Sequence, residues 1–146
     1  MSIPGSRHIH RPKIEPNYTD KVILKKSDWR HLPVKETAEG FRVYFEFPSY
    51  TLDAHLTKLP AGGRSHKHRH LDEAIILILK GKGYSVIEGK RVDWEEGDVL
   101  FIPKWVWHQH FADSSTDVEY FAVTNQPLLE NLGKLNLTEE AEEQLH

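Results

Sequence analysis

From Phe41 onward the chain alternates with period two. Phe41, Val43, Phe45 and Phe47 alternate with Arg42, Tyr44 and Glu46, which predicts a strand with one buried face. Pro48 and Ser49 interrupt it. Leu52, Ala54 and Leu56 then alternate with Asp53, His55 and Thr57, and the segment 60–63 (PAGG) makes a turn. The run 74–79 (AIILIL) is continuously apolar and of strand length, so it reads as a central strand buried on both faces. Gly81 and Gly83 end it. Segments 84–87 and 91–94 flank Glu88-Gly89-Lys90, a hairpin signal. Gly97-Asp98 reads as a turn before the strand 99–102, and Val118, Tyr120 and Ala122 mark a last strand. Short strands punctuated by Gly and Pro predict an all-β antiparallel sandwich or barrel.

Only the tail has helical spacing. Leu128, Leu129, Leu132 and Leu135 form an apolar stripe, and Thr138 would cap a short acidic helix through Glu139 and Glu140. The first residues hold Pro4, Pro12 and Pro16, several charges and no periodicity. The expected organisation is an N-terminal arm (1–20), one β-barrel (21–126) and a helical tail (127–146). No internal repeat suggests a second barrel.

Composition narrows the chemistry. The chain has 146 residues, no cysteine and a formal net charge of −3. Disulfides, thiolate catalysis and cysteine-rich zinc sites are excluded, and no basic footprint for nucleic acid or anionic lipid is present. No apolar run approaches the roughly 20 residues that span a bilayer, and the first residues lack an apolar signal core. The expectation is a soluble, cytoplasmic protein. Ten histidines are many for this length. Five of them fall into two clusters, His66/His68/His70 and His108/His110, and Trp105 and Trp107 flank the second.

Residues two apart on a strand share a face. Two imidazoles on one strand can therefore hold one metal ion if a third donor arrives from elsewhere, and the second cluster can supply it. His8 and His10, in the arm, read as solvated, and His55 as a satisfied barrel residue.

The spacing of these residues resembles the two motifs of the cupin superfamily. The first motif runs G-x5-H-x-H-x3/4-E-x6-G, and Gly62, His68, His70 and Gly81 fall in register with it, Ala74 occupying the glutamate slot. The second places Gly97, Pro103 and His108 in register, with Trp105 and Ala112 replacing the usual glycine and asparagine. A competing register would use His66, His68 and Glu73, but it fits the flanking glycines less well, so Glu73 is expected to face away from the interior. The resemblance implies a double-stranded β-helix, or jelly-roll, barrel with His68, His70 and His108 as metal ligands. With the glutamate slot empty, the donor set would be charge-neutral and would favour an anionic substrate. Imidazole donors suit Fe(II) but also Zn or Ni, and Mn remains open.

Within the superfamily the chain looks most like the gentisate 1,2-dioxygenase branch, whose members cleave aromatic rings with Fe(II) on three histidines. That likeness implies a small hydroxylated aromatic or related carboxylate as substrate. Trp105 and Trp107 would wall it, His110 would hydrogen-bond it and Arg64 would pair with its carboxylate. Gln109, of opposite parity to His108, is expected toward solvent or the sheet. A non-oxidative lyase, isomerase or hydrolase and a non-catalytic binding module are the alternatives. A homodimer through edge strands or exchanged arms is the expected assembly.

Overall fold

The computed structural model describes residues 20–133 and 135–142. The predicted N-terminal arm, with His8 and His10, lies outside the described residues apart from Asp20. Two antiparallel sheets face each other. The first runs, in spatial order, β1 (Lys35–Thr37), β2 (Gly40–Tyr44), β3 (Asp53–Leu59), β10 (Val118–Thr124), β5 (Ala74–Lys80) and β8 (Val99–Ile102). The second runs β11 (Thr138–Glu140), β4 (His68–His70), β9 (His108–Ala112), β6 (Lys82–Ile87) and β7 (Lys90–Glu95). Helix α1 (Lys26–Trp29) precedes β1, and α2 (Gln126–Asn131) follows β10.

The predicted hairpin joins β6 to β7. Its two loop residues, Glu88 and Gly89, both have positive φ (47° and 77°), as a tight turn matched to strand twist requires. The inward faces of the sheets divide lengthwise. Leu59, Ile78, Trp94, Leu100 and Val118 fill one end with apolar side chains. Toward the other end lie His55, Thr57, His68, His108, His110 and Thr124, all buried. A solid apolar plug thus closes one end of the space between the two sheets, and a polar cavity occupies the other.

Two expectations are corrected. Ala74, Ile76 and Ile78 do face the core, but Ile75 and Leu79 are 57% and 43% exposed, so β5 is not buried on both faces. A continuous apolar run records side-chain chemistry and not what covers it. The outer face of this sheet is covered only in part: Trp29 of α1 packs edge-on against Phe45, whose ring lies 5.9 Å from Phe121. Beyond that, Ile75, Val99 and Phe101 stay exposed among the described residues.

The second correction concerns the tail. The helix ends at Asn131, and residues 138–140 form a strand, not a helix capped by Thr138. β11 pairs antiparallel with β4, with Thr138 opposite His70 and Glu140 opposite His68. The free edge of β4 offers unpaired main-chain groups, and pairing them outweighs the weak helical preference of a three-residue acidic segment. Arg69 of β4 anchors the pairing with an ion pair to Glu139 at 2.8 Å.

The two faces of β5 generate a direct comparison. Ile78→Ala should lower unfolding stability by about 2–5 kcal/mol, whereas Ile75→Ala should change it by about 0.5 kcal/mol or less. Urea unfolding of both variants checks this.

Candidate metal centre

The site begins with strand register. β4 and β9 are neighbours, and His68 lies directly opposite His108. His70, two residues along β4, shares the inward face. The three rings converge, with centroids 4.6 Å (His68–His108), 4.8 Å (His70–His108) and 5.3 Å (His68–His70) apart.

A fourth donor comes from a different part of the chain. The turn between β1 and β2 carries Glu39, and its carboxylate contacts His68 Nε2. One ligand atom each from Glu39, His68, His70 and His108 lies within 4.8 Å of all the others. The expectation of a charge-neutral, three-histidine set is therefore corrected. Ala74 does face the cavity and offers no donor, but the missing carboxylate arrives from the β1–β2 turn.

Local structure explains why Glu39 points inward. The Thr37 hydroxyl accepts the Glu39 N–H and donates to the Gly40 carbonyl, which tightens the turn. Gly40 has φ of 120°, and a Cβ there would sit 2.9 Å from the Lys58 carbonyl oxygen, so only glycine lets the turn lie this close to β3. The His66 N–H donates to the Ala38 carbonyl at 2.7 Å and ties the turn to the approach to β4.

The imidazoles are oriented as ligands require. Nδ1 of His70 lies 2.8 Å from the Asp72 carbonyl oxygen, and Nδ1 of His108 lies 3.0 Å from that of Val106. A carbonyl only accepts, so each Nδ1 carries the proton and each Nε2 keeps a lone pair. Three imidazoles and one carboxylate in one converging set fit a divalent first-row metal ion.

Charge placement follows from burial and neighbours. Burial raises the Glu39 pKa, but the hydrogen bond and charge of His68, with Arg42, hold it well below the usual carboxylate range. Burial likewise disfavours the Arg42 cation, and Glu39 more than restores it. Burial and the adjacent His110 push His108 down to about 3. Burial pushes His110 down to about 4, against the opposing pull of Glu39. His70 moves the other way: burial lowers it, and the Asp72 carboxylate and carbonyl outweigh that and raise it.

The donors line a cavity of about 280 Å³ together with Arg42, Tyr44, His55, His110 and Tyr120. The Trp94 Nε1–H donates to the Ser85 hydroxyl at 2.8 Å, and that hydroxyl lies 2.7 Å from His110 Nδ1. Ser85 has one proton to give, so it donates to His110 and leaves Nε2–H of His110 as a donor. Among the described residues the buried Tyr120 hydroxyl makes no hydrogen bond. Burial pushes its pKa up, so it stays protonated.

Other residues singled out from the sequence fall elsewhere. Arg64 is exposed, pairs in an isolated bridge with Phe111, and is not among the cavity-lining residues. Trp105 and Trp107 enclose the Arg69 guanidinium, 4.2 and 4.5 Å from their ring centroids, and neither lines this cavity. Trp105 has φ of 57°, so strand parity does not carry through it. His66 is exposed, 3.6 Å from Glu140. Glu73 is exposed, as expected. Gln109 is buried and not solvent-directed; its Nε2 donates to the Ser65 carbonyl at 2.7 Å. Glu39 and Arg42 were not foreseen. The available signals were the Glu39-Gly40 turn dipeptide and an empty glutamate slot that calls for a carboxylate from elsewhere.

Fold and centre together define a class: the two facing sheets have the cupin fold. Residues 55–124 match the cupin domain family. Its likeness runs to the gentisate 1,2-dioxygenase branch. It is 33% identical over 66 residues to a 5-aminosalicylate 1,2-dioxygenase of Comamonas sp., covering 45% of this chain and 17% of that one. A gentisate 1,2-dioxygenase of Ralstonia sp. is 32% identical over 63 residues, covering 42% and 18%. The chain thus spans about a fifth of the length of these curated relatives. A salicylate 1,2-dioxygenase variant of Pseudoaminobacter salicylatoxidans, solved in complex with gentisate, superposes with a TM-score of 0.68 at 20% identity. That match covers 76% of this chain and 31% of that one.

The lowered histidine pKa values fix an acid response of the metal-free protein. His108 and His110 are neutral in the fold well below 6.5, the ordinary histidine value. Between pH 6.5 and about 4 the unfolded chain therefore binds more protons at these two positions, and stability falls as pH falls. His70 contributes with opposite sign, its stabilisation being lost as pH rises through its elevated pKa. The depressed Glu39 carboxylate acts with the two lowered histidines toward the acid end, so the unfolding free energy from urea titration should drop from pH 7 to pH 4, by no more than about 1.4 kcal/mol per pH unit for each lowered group.

Proposed function

We propose that this chain is a metal-dependent cupin dioxygenase acting on a small hydroxylated aromatic or related carboxylate. In this reading Fe(II) is held by His68, His70 and His108 with Glu39 as the fourth donor. The observation that carries it is the convergence of these four donors on the wall of one cavity. A volume of about 280 Å³ lies at the small end of ligand pockets, which suits a single-ring molecule. Among the relatives, the aminosalicylate and gentisate dioxygenases bear names of small hydroxylated aromatic carboxylates. Bound there, Fe(II) would supply Lewis acidity and one-electron chemistry toward dioxygen.

The protein's own groups would select and orient the substrate. Arg42 offsets the charge that Glu39 removes from the centre, so an anionic substrate is still favoured. We assign Arg42 as carboxylate partner, because it lines the cavity where Arg64 does not. His110, with Nε2–H free to donate, would hydrogen-bond a substrate oxygen. Burial of these groups away from bulk water strengthens each of these interactions.

The outer face of the first sheet supports the homodimer expected from the sequence. Ile75, Val99 and Phe101 form an exposed apolar group beside edge strand β8, of the kind that marks an interface. A Phe101→Asp variant should sediment as a monomer where the wild-type chain sediments as a dimer.

Two measurements test the site and the reaction. His108→Ala should abolish stoichiometric metal in elemental analysis, and Glu39→Ala should weaken retention of metal against a chelator without abolishing it. Iron-loaded protein should consume dioxygen with at least one member of a panel of hydroxylated aromatic carboxylates. Turnover that persists anaerobically with zinc, nickel or manganese would instead place the chain with non-oxidative cupins.

A further inference from the structure

Facing the three histidine donors from the opposite sheet is a second polar group that the metal reading leaves unused. His55, on β3, is buried and lines the same cavity. Its Nδ1 lies 2.7 Å from Asp53 Oδ2, two residues back on the same face of β3. An ionised carboxylate only accepts, so Nδ1 carries the proton and Nε2 is left with its lone pair. The ring makes no other hydrogen bond among the described residues, and it is the ring, not Asp53, that lines the cavity. Ala122, the strand partner of His55 on β10, is small and leaves the space beside the ring open. Satisfying a buried imidazole explains the Nδ1 contact. It does not explain a lone pair left beside a ligand-sized space.

We propose that His55 is the proton acceptor of this cavity, with Asp53 as its positioning residue. The hydroxyl O–H bond of a bound phenol or enol breaks, its electron pair stays on oxygen, and the proton bonds to His55 Nε2. Asp53 then holds the imidazolium as an ion pair; nothing is oxidised or reduced in this step. The geometry has the form of a base oriented by a carboxylate. Other groups facing His55 act on the same proton. From β2 come Tyr44, whose ring centroid is 5.9 Å from that of His55, and the Arg42 cation; from β10 comes the protonated Tyr120; across the cavity lies the Glu39 carboxylate.

The proposal rests on the reading that the cavity takes a small hydroxylated ligand, and its test separates the two. The probe is 4-nitrocatechol, whose visible absorption reports ionisation of its hydroxyl. It is titrated from pH 5 to pH 9 against zinc-loaded and metal-free protein, with zinc content measured in the same samples. His55→Gln should move the ionisation midpoint of the bound probe upward by about one pH unit or more, a tenfold change in the equilibrium. Asp53→Asn, which keeps an acceptor for Nδ1–H but removes the charge, should give a smaller shift in the same direction. Midpoints that coincide in wild type and both variants overturn the proposal, as does absence of bound probe in both arms. If zinc is not taken up while the shift persists in metal-free protein, the four-donor reading fails and the role of His55 stands.

Discussion

The register between β4 and β9 is the constraint on which the centre depends. His68 and His108 face each other as the paired residues of these strands, and that pair sets the position of His70, two residues along β4. Side-chain direction repeats every two residues, so a one-residue slip of β4 would turn His68 and His70 to the outside. Such a short pairing cannot hold register alone, and the chain reinforces it on all sides. The Trp105 N–H donates to the His70 carbonyl, and the Ser65 N–H to that of His110, at 2.7 and 2.9 Å. The Ser65 hydroxyl accepts the His110 N–H, and Gln109 reaches the Ser65 carbonyl. β11 closes the far edge of β4. The Trp105–Arg69–Trp107 stack and the Arg69–Glu139 ion pair lock that added strand from outside. The aromatic residues beside the second histidine cluster therefore serve the centre by fixing the strand that carries it.

A cavity lined with so many polar groups needs a scaffold that does not collapse onto it. The apolar plug of Ile78, Leu100, Val118 and Trp94 supplies that scaffold at one end of both sheets. Trp94 links the two regions, since it packs in the plug while its indole N–H reaches Ser85 and, through it, His110. The orientation of His110 is thus set from the core, without any group of the cavity being used for it. On the opposite sheet Asp53 plays the corresponding part for His55 from the partly exposed rim.

The strands, the hairpin at Glu88-Gly89 and the inward histidines were legible because period-two patterning and turn chemistry are local. The motif spacing that favoured His68 and His70 over His66 also agrees with burial, since His68 is buried and His66 exposed. The failures share a physical origin: each depended on what another part of the chain contributes. The outer face of β5 looks buried in sequence because its residues are apolar, yet no described element covers Ile75. The segment 138–140 has no strand signal of its own and becomes one because β4 offers an open edge. Trp105 and Trp107 were assigned to the substrate wall by resemblance, but Arg69 of the neighbouring strand draws both rings onto its guanidinium, away from the cavity. Glu39 was missed for the same reason, being delivered by a turn whose approach depends on Gly40 packing against β3.

The origin of that carboxylate has a practical side. Glu39 and Arg42 both precede the segment 55–124 that matches the cupin family, while the three histidines all lie inside it. A domain trimmed to the matching segment would keep every imidazole and lose one anion and one cation from the cavity wall. It would also lose the hairpin that carries them and expose the edge of β3 that β2 now pairs. Such a fragment would present the very three-histidine centre that the motifs advertise, with a different charge and a more open mouth. Chain boundaries chosen by motif would therefore redesign the centre rather than isolate it.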